Sequence, residues 1–239
     1  MSFRGIGMTE TSSKDLQNLS TVRAEIDRLD QQILSALEDR AALASAVLAA
    51  KSGQAIFRPG READLIRRLV ASSSLPPLMI EMIWRQIIAN NITGQQQLKV
   101  ALMDEAVSFA VSGFCFGALV DHRVCADAPA VIAAVAEGEA DLGILPHWNQ
   151  NAAWLNDLLR SNHPAYIVAV SPFLEGHRWA GAPLADGVII ARDLPDASQH
   201  DITLCLDGDH VMEHEGYHAD AKGLLGIFQN RSFFAIETP

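Results

Sequence analysis

Three cations on one predicted helix stand out because their types and spacing could bind an anion. Arg40 and Lys51 are eleven residues apart, so at about 100° per residue they lie within roughly 20° of each other on one helical face. Arg23 precedes Arg40 by seventeen residues and therefore lies roughly 100° around the helix and roughly 25 Å along its axis. Arg23 cannot share a compact site with Arg40 within one straight helix, but it could serve a second site in a paired subunit.

The same cations also have a purely structural interpretation. Arg23 and Arg40 could be solvated surface charges that pair with the nearby carboxylates of Glu25, Asp27 or Asp39. Such pairs form readily between neighbouring turns of an exposed helix. On spacing alone, this surface interpretation is the favoured one.

Two shorter predicted helices carry further polar candidates. Arg61 and Glu62 stand at the start of the second helix, while Asn91 and Gln95 are four residues apart in the third and share one face. A structural use is open for two of them. The helix macrodipole favours a carboxylate such as that of Glu62 near an N-terminus, and Gln95 lies in a Gln-Gln-Gln run that could be surface.

The element that must position the first cations is the stretch from Leu16 to Lys51. It contains no Gly and no Pro, and its helical apolar spacing predicts one helix of roughly 50 Å. The apolar positions are Leu19, Val22, Ile26, Leu29, Ile33, Leu37 and Val47. A mean globular helix has only about 11–12 residues, so no small domain could cover this one alone. We therefore expect a homodimer through the long N-terminal helix.

The remaining pattern divides the chain into three parts. Residues 1–15 read as a flexible tail, and residues 16–97 as a helical domain of one long, one short and one medium helix. From Leu98 onward, strand-like runs alternate with helical ones, which predicts a largely parallel, covered sheet in an α/β domain over residues 98–239. The strand candidates are LKVALM, HRVCA, ADLGILP, AYIVAVSPF, GVIIARDL, DITLCLDG and SFFAIET.

Composition and charge argue against several classes of protein. The formal net charge is −11 with no long basic run, which argues against nucleic acid and anionic membrane surfaces as partners. No window approaches a membrane span, and the first fifteen residues lack the apolar core of a signal peptide. The 3 cysteines are sparse and without metal-ligand spacing, which is typical of reduced thiols in a cytoplasmic protein.

Four segments together resemble the type II, all-helical (AroQ-class) chorismate mutases. They read VRAEIDRLDQQILSALEDR, AALASAVLAAK, RPGREADLIRRL and IWRQIIANNITGQ, and they keep the order and spacing of several polar positions over roughly residues 16 to 97. The resemblance implies conversion of chorismate to prephenate by a pericyclic rearrangement in phenylalanine and tyrosine biosynthesis, with no cofactor and no metal. It also implies an intertwined helical homodimer in which the long helices pair.

The resemblance also implies a role for each candidate residue. Arg40 would hold one substrate carboxylate, and Arg23 would reach the other from the partner subunit. Lys51 and Gln95 would donate to the ether oxygen whose bond breaks, and Glu62 would bind the ring hydroxyl. The residue types suit the chemistry, because guanidinium groups grip carboxylates bidentately and fixed donors stabilise negative charge that develops on the ether oxygen.

One departure from the family pattern opens an alternative function. Three residues before Arg61, where the family commonly has an acid, stands Arg58, which cannot accept a proton from the substrate hydroxyl as a carboxylate does. Arg58 and Arg61 remain in the predicted substrate-binding set, as does Asn91, at a position where the family often has a small polar residue. The alternative is a non-catalytic or weakly active binding or regulatory protein that keeps the mutase fold.

The second domain resembles the prephenate dehydratases, whose sheet has the periplasmic-binding-protein type of fold. The matching segment is VIAAVAEGEADLGILPHWN, but only Pro146 and Asn149 match the dehydratase Pro-Ile-Glu-Asn-Ser run. The Gly-rich loop expected after the first strand is replaced by MDEAVS, and the strand that begins near Gly187 lacks the catalytic Thr-Arg-Phe run. We therefore expect a degenerate domain without dehydratase activity.

A third and weaker hypothesis is a zinc hydrolase. His214, Glu215 and His218 fit the H-E-x-x-H pattern, which requires both histidines on one face of a helix. Gly216 and Tyr217 are poor helix formers in a short segment, and the flanks read as turn and strand. A chance match in a loop or strand is the favoured interpretation.

Overall fold

The computed structural model describes residues 10–49, 57–93, 98–148, 152–161, 164–174 and 186–231. The chain divides into two compact units, residues 1–53 and residues 54–239. The helices are α1 (Glu10–Ala49), α2 (Pro59–Ala71), α3 (Pro77–Thr93), α4 (Ala106–Phe116), α5 (Ala128–Ala136) and α6 (Trp154–Arg160). The strands are β1 (Lys99–Met103), β2 (Asp121–Cys125), β3 (Leu142–Pro146), β4 (Tyr166–Ser171), β5 (Gly187–Ala191), β6 (Asp201–Asp207), β7 (His210–Glu215) and β8 (Leu224–Gln229).

The long helix predicted from the sequence is present, but it begins earlier than expected. α1 starts at Glu10 rather than near Leu16, so residues 10–15, which we predicted as part of a flexible tail, are helical. Ser and Asp in this stretch suggested a cap, yet no Gly or Pro stands there to break the helix. Residues 1–9 and Lys51 lie outside the described residues.

The apolar face of α1 is open to solvent. Its exposed fractions run from 36% at Leu37 to 69% at Leu43. The other exposed apolar side chains of the helix are Leu19, Val22, Ile26, Leu29, Ile33 and Leu34. Uncovered apolar stripes of this length are uncommon on a monomeric soluble protein.

The two shorter helices form as predicted and belong to the second compact unit. Pro59 lies in the first turn of α2 and Pro77 opens α3, positions at which the missing N–H of proline costs nothing. Gln95 lies outside the described residues, as does the rest of the segment 94–97. In the structure, α2 and α3 form one compact unit with the sheet. The predicted division into residues 16–97 and 98–239 stays a prediction.

Eight strands form one mixed sheet in the order β2-β1-β3-β5-β4-β8-β6-β7. The pairs β1–β2, β1–β3 and β4–β8 are parallel. The pairs β3–β5, β4–β5, β6–β7 and β6–β8 are antiparallel. The expectation of a largely parallel sheet was therefore wrong, because the strands after β4 return directly or through loops instead of crossing over through helices.

Two of these strands were not among the sequence candidates. β7 is exposed along most of its length, so it lacks the apolar alternation that marks a strand. β8 contains Gly226, a residue disfavoured in strands, yet a Cβ there would lie 2.1 Å from the carbonyl oxygen of Ile167 on the neighbouring strand. The predicted strand SFFAIET lies outside the described residues.

Helices cover both faces of the sheet, as the alternation of side chains on β5 shows. Val188 and Ile190 belong to the apolar cluster that includes the buried residues of α5 and α6. Ile189, between them, belongs to the cluster that includes the buried residues of α4. A smaller cluster joins Ile66 of α2 to the segment that follows β4. In the described segments, no helix is both long and apolar enough to cross a membrane.

Candidate functional site

The two arginines that α1 contributes to the predicted site make no ion pair with any residue that the structure describes. Arg23 is exposed and Arg40 is half-buried, and one terminal nitrogen of Arg40 is buried without a hydrogen-bond partner among the described residues. Glu25, one of the carboxylates available to them, pairs instead with Arg28 at 2.5 Å. The surface pairs considered from the sequence are therefore not formed within the described part of α1, which leaves both cations available to an anion.

The arginines of α2 line a cavity of about 880 Å³ in the second unit. Its opposite wall is the segment 196–200, which leads into β6. Arg61 and Arg68 are exposed and, at seven residues apart, stand on one face about 10.5 Å apart along the helix axis. Neither makes an ion pair with any residue that the structure describes, so this face of α2 carries two uncompensated positive charges.

Two other arginines of the cavity are held by carboxylates. Arg58 donates from Nε and Nη2 to one oxygen of Asp196, at 3.0 and 2.7 Å. Arg67 donates to Asp64 at 2.9 Å and to Gln229 of β8 at 3.0 Å. Burial lowers the pKa of Arg67, while the charge of Asp64 opposes that change. These arginines, with Arg61 and Arg68, form the cationic wall of α2, in which Asp196 balances the positive charge of Arg58.

Glu62 points away from this cavity into a buried network of charges. Its carboxylate accepts a hydrogen bond from Arg85 of α3 at 2.7 Å, and both side chains are less than 10% exposed. Burial raises the pKa of Glu62, and the charge of Arg85 opposes that rise. In this structure the carboxylate is satisfied by Arg85, so its predicted contact with a substrate hydroxyl stays a prediction.

Glu81 completes the network and connects it to the sheet. Its carboxylate is fully buried and accepts the backbone N–H groups of Phe173 and Leu174 at 2.9 and 3.1 Å. Arg85 lies 3.7 Å from the same carboxylate. One arginine therefore bridges two buried acids, and the start of α2 is tied through α3 to the segment after β4.

The predicted site residues fall into three groups. Arg23 and Arg40 lie on α1 in the first unit, and Arg58, Arg61 and Glu62 lie at the start of α2 in the second. Lys51, Gln95 and the side chain of Asn91 lie outside the described residues. The structure thus brings Arg58 and Arg61 together in one cavity but leaves the complete site untested.

Sequence reasoning missed Asp196, Arg67 and Arg68 as parts of the cavity. Arg68 could have been found, because its spacing of seven residues from Arg61 returns it to the same face of the helix, whereas Arg67 lies roughly 120° away from that face. Asp196 gave no signal, since it lies 138 residues from Arg58 in a loop whose path only the folded sheet fixes.

The H-E-x-x-H match lies on a strand and a turn, as expected. His214 and Glu215 end β7, and Gly216 has a φ of 96°, a left-handed conformation that a helix cannot contain. The two histidines of the pattern therefore do not share a helical face. Among the residues that the structure describes, no group of three or more His, Cys, Asp or Glu side chains is arranged to hold a metal ion.

A serine–histidine contact in the α/β region is structural. The Oγ of Ser112 in α4 lies 2.8 Å from Nε2 of His122 in β2, the arrangement that activates a nucleophile in hydrolases. Ser112, however, is fully buried, so no substrate can reach its oxygen. The hydrogen bond attaches α4 to the edge of the sheet.

Comparison with known proteins identifies the helical segment. Residues 22–96 match the family described as Chorismate mutase type II. A protein of Aquifex aeolicus called "Bifunctional chorismate mutase/prephenate dehydratase" is 27% identical over 141 residues, which are 55% of this chain and 39% of that protein. A protein of Pseudomonas aeruginosa with the same name is 28% identical over 158 residues, 62% of this chain and 43% of that protein.

The comparison covers only part of each relative. The chain spans only about two fifths of the length of the curated relatives it matches, 39% and 43% for these two. A solved structure titled "GqqA- a novel type of quorum quenching acylases" is similar over 56% of this chain and 96% of that chain, with 14% identity and a TM-score of 0.37. A structural likeness this weak carries no inference.

The alignments to the bifunctional proteins are longer than the matched helical segment, so they continue into the α/β region. In this chain, the helices of the matched segment come first and the α/β sheet follows them. Residues 22–96 of this chain thus match the type II chorismate mutase family, and the alignments to the bifunctional chorismate mutase/prephenate dehydratases extend beyond them.

Proposed function

We propose that this protein is a chorismate mutase, which rearranges chorismate to prephenate without a cofactor. The observation that carries the proposal is the match of residues 22–96 to the mutase family, together with two arginines of α1 that make no ion pair with any residue that the structure describes. Chorismate is a dianion, and guanidinium groups bind carboxylates through two parallel hydrogen bonds. Arg23 and Arg40 are the cations proposed for this role.

The rearrangement breaks an ether bond while a carbon–carbon bond forms within the same molecule. Negative charge develops on the ether oxygen, so fixed donors at that oxygen lower the barrier. Lys51 and Gln95 are proposed as these donors. The cationic wall of α2, including Arg61, would attract the dianion, and the arrangement as a whole would hold the substrate in its compact reactive conformer.

Arg58 departs from the family pattern, and its contact with Asp196 offers a physical interpretation of that departure. Arg58 is bound by Asp196, so its charge is largely offset and a carboxylate stands beside the start of α2. The family commonly has an acid at that start. We infer that Arg58 with Asp196 takes the place of the single acid, a substitution compatible with mutase activity.

The homodimer is part of the same proposal. α1 exposes an apolar stripe along most of its length, and a second copy of α1 is the complementary surface that would cover it. In such a dimer, Arg23 would act in the site of the partner subunit, because it lies too far along the helix to reach the anion held by Arg40.

For residues 98–239 we propose a periplasmic-binding-protein type of fold without dehydratase activity. Dehydration needs a proton donor for the leaving hydroxyl, and β5, the strand from Gly187 to Ala191, reads Gly-Val-Ile-Ile-Ala with no threonine. The sheet nevertheless has a full apolar core on both faces. Such a domain suits binding, packing or regulation.

A second candidate function is a chorismate-binding or regulatory protein with little or no turnover. Glu62 favours it, because its carboxylate is buried and held by Arg85 rather than presented to a substrate hydroxyl. In this version the cations would bind chorismate, but the reaction would not be accelerated.

Loss of chorismate absorbance with the purified full chain tests these proposals. We expect turnover proportional to protein, reduced about 100-fold in Arg40→Ala, a loss typical of removing one preorganised charged donor. The matched control is Arg28→Ala, on the same helix but paired with the exposed Glu25, which should keep its activity. The same mixtures should contain no phenylpyruvate above the uncatalysed background.

The outcomes separate the two candidates. Saturable chorismate binding by calorimetry without turnover would support the binding or regulatory protein and reject the enzyme. Equal losses in Arg40→Ala and Arg28→Ala would reject the proposed carboxylate site.

A further inference from the structure

The sheet ends on one side at β2, whose outer edge has no partner strand among the described residues. β2 is hydrogen-bonded to β1 alone. The N–H of Asp121 donates to the carbonyl oxygen of Leu98 at 3.0 Å, so the backbone groups of Asp121 point towards β1. Because alternate residues of a strand direct their backbone groups to opposite sides, those of His122 and Val124 point outward. Such an edge is a template for another strand.

β2 lacks the usual features that protect an edge strand from pairing. Protection comes from Lys or Pro on the edge, from a bulge, or from charges that repel a second strand. β2 reads Asp-His-Arg-Val-Cys, with one charge of each sign, and its pairing with β1 runs without a register shift. Val124 is 54% exposed, and Leu119, just before the strand, is 78% exposed. The edge is therefore regular, partly apolar and open.

Contacts with α4 hold the middle of this edge in place. Nε2 of His122 lies 2.8 Å from the Oγ of Ser112. The ring of His122 also packs edge-on against the ring of Phe109, with centroids 5.4 Å apart. The edge is therefore preformed, so a strand that pairs with it need not order it first.

The charges of β2 are complementary to those of a second copy of the same strand. A two-fold axis that relates two antiparallel edge strands is perpendicular to the sheet, so each residue keeps its face, and opposed residues share a face. With the axis at His122, Asp121 lies opposite Arg123 of the partner subunit. The same pair recurs on the other side of the axis. The register therefore places two pairs of opposite charges directly across from each other, which stabilises the pairing of strands.

The backbone and the apolar side chains fit the same register. His122 faces its own copy, and since its backbone groups point outward, the two copies exchange both N–H···O=C bonds. Val124 lies opposite Val120 of the partner subunit, and Leu119 lies opposite Cys125 of the partner subunit. Apolar residues therefore meet apolar residues beyond the charged pairs, which covers the exposed side chains of Val124 and Leu119.

Neighbouring registers of β2 lose this complementarity. An axis at Asp121 places that acid opposite its own copy, and an axis at Arg123 does the same with the guanidinium. Like charges directly opposite each other destabilise a pair of strands. The charge pattern of β2 therefore favours the register at His122.

The other edge of the sheet, β7, has no complementary register. Its acids, Glu213 and Glu215, alternate with His210 and His214. Only residues an even number of positions apart in the chain can oppose each other across a two-fold axis, so an acid can face another acid or Val211 but never a histidine. The two edges of the sheet therefore differ, and only β2 is complementary to itself.

We propose that β2 pairs antiparallel with β2 of a second copy of this chain, in the register centred on His122, and joins the two sheets into one. The contact is isologous, because the same surface serves both copies. A ladder this short makes a small interface, and interfaces of that class are weak and transient. No residue of α1 takes part, so the inference stands apart from the dimer through α1 and from the proposed mutase activity.

Sedimentation equilibrium of the full chain, from about 10 to about 500 micromolar, tests the proposal in the range expected for a small interface. We expect a dissociation constant of about 0.1 mM, and the weight-average mass should then rise about 1.5-fold across this range. The rise is expected whether the species at low concentration is a dimer through α1 or a monomer. The two associations are therefore separately visible.

Charge-reversal variants connect the association to β2. Asp121→Arg and Arg123→Asp each convert both charged pairs into like-charge pairs, so each should weaken the association by about tenfold or more. Combining the two changes exchanges the charges and should restore the dissociation constant to within about threefold of the parent value. The matched control is Glu213→Arg, the same kind of reversal at an exposed position of β7, which should associate as the parent does.

Single cysteines test the register itself. His122→Cys places two thiols across the axis at a Cα separation of about 5.5 Å, within the range of about 4.4–6.8 Å that a disulfide spans. Val124→Cys leaves its two copies four residues out of step, about 13 Å apart, which is too far. Under mild oxidation His122→Cys should form covalent dimers at least about tenfold faster than Val124→Cys, and the parent chain gives the background from its own cysteines.

Three results would overturn the proposal, each with variants that keep the circular dichroism spectrum of the parent. The first is a mass that stays constant from low to high concentration, which would also be the outcome if another segment of the same chain covered β2. The second is parental association in both single charge-reversal variants, or no recovery in the combined one. The third is cross-linking of Val124→Cys as fast as that of His122→Cys.

Discussion

Replacing Arg85 with methionine should destabilise the second unit strongly, because this arginine neutralises a buried acid. Methionine keeps much of the aliphatic volume of Arg85 and removes the guanidinium. The change breaks the 2.7 Å bond to Glu62 and the 3.7 Å ion pair with Glu81. Glu81 keeps two backbone donors, but Glu62 loses the only partner that the structure gives its carboxylate among the described side chains.

The magnitude follows from this difference between the two acids. Breaking a buried ion pair by removing one partner typically costs about 3–5 kcal/mol of unfolding free energy. Because Glu81 stays hydrogen-bonded, we expect about 3 kcal/mol for Arg85→Met near neutral pH. Adding Glu62→Gln removes the orphaned charge, so the double variant should recover about 1–2 kcal/mol relative to Arg85→Met.

The loss should depend on pH in a defined direction. Burial raises the pKa of Glu62 above its ordinary 4.5, and Arg85 opposes that rise, so its removal raises the pKa further. A carboxyl group with a raised pKa in the folded state favours folding below its unfolded pKa, and this contribution is lost as pH rises through the folded value. Arg85→Met should therefore be closer to the parent near pH 4.5 than at neutral pH.

Urea unfolding followed by circular dichroism measures these quantities through the midpoint and slope. The matched control is Arg123→Met, in which an arginine that is 40% exposed loses its pair with Glu139, a surface bond worth about 0–1 kcal/mol. A loss under about 1 kcal/mol in Arg85→Met, or a double variant no more stable than Arg85→Met at neutral pH, would refute the reasoning about an orphaned buried acid.

Three further predictions concern assembly, close packing and thiol chemistry. Sedimentation at micromolar concentration should show a dimer, because α1 exposes its apolar stripe; a stable folded monomer would contradict it. Gly226→Ala should cost about 3 kcal/mol in urea unfolding, because its Cβ would lie 2.1 Å from the Ile167 carbonyl oxygen. The control Gly113→Ala, whose Cβ meets nothing within 4 Å, should be neutral or slightly stabilising. Burial raises the pKa of Cys115 to about 11, so a thiol reagent at mildly alkaline pH should modify the half-buried Cys125 first and Cys115 only after unfolding; equal rates in the folded protein would contradict this.

Local pattern was sufficient for most of the elements. The period of apolar residues predicted α1, and Pro59 and Pro77 marked the starts of the next two helices, because the helical repeat and proline geometry act over a few residues. Strand-like runs predicted β1 to β6 in the same way. β7 and β8 escaped because one is exposed and the other contains Gly226, so neither shows a local apolar pattern.

The direction of the strands could not be read in the same way. The alternation of strands and helices up to β4 suggested parallel pairing throughout. β5 instead lies antiparallel between β3 and β4. Pairing depends on which long-range contacts bury the most apolar surface, and no local period encodes that choice.

For the candidate site, the sequence by itself determined the kinds of residue and their positions along helices. Arg23, Arg40 and Arg61 were chosen through the resemblance to the type II chorismate mutases, the family that residues 22–96 match. Spacing along one helix is a local property, so it survives whatever the rest of the chain does.

Only the tertiary structure decided which charges are free and which are used. Glu62 is bound to Arg85, 23 residues away, and Arg58 to Asp196, 138 residues away, while Arg61 is left without a partner among the described residues. The state of a charged side chain depends on burial and on partners that distant segments bring to it. The sequence therefore fixes the chemistry that each group can perform, and the fold decides which of those groups remain available to a ligand.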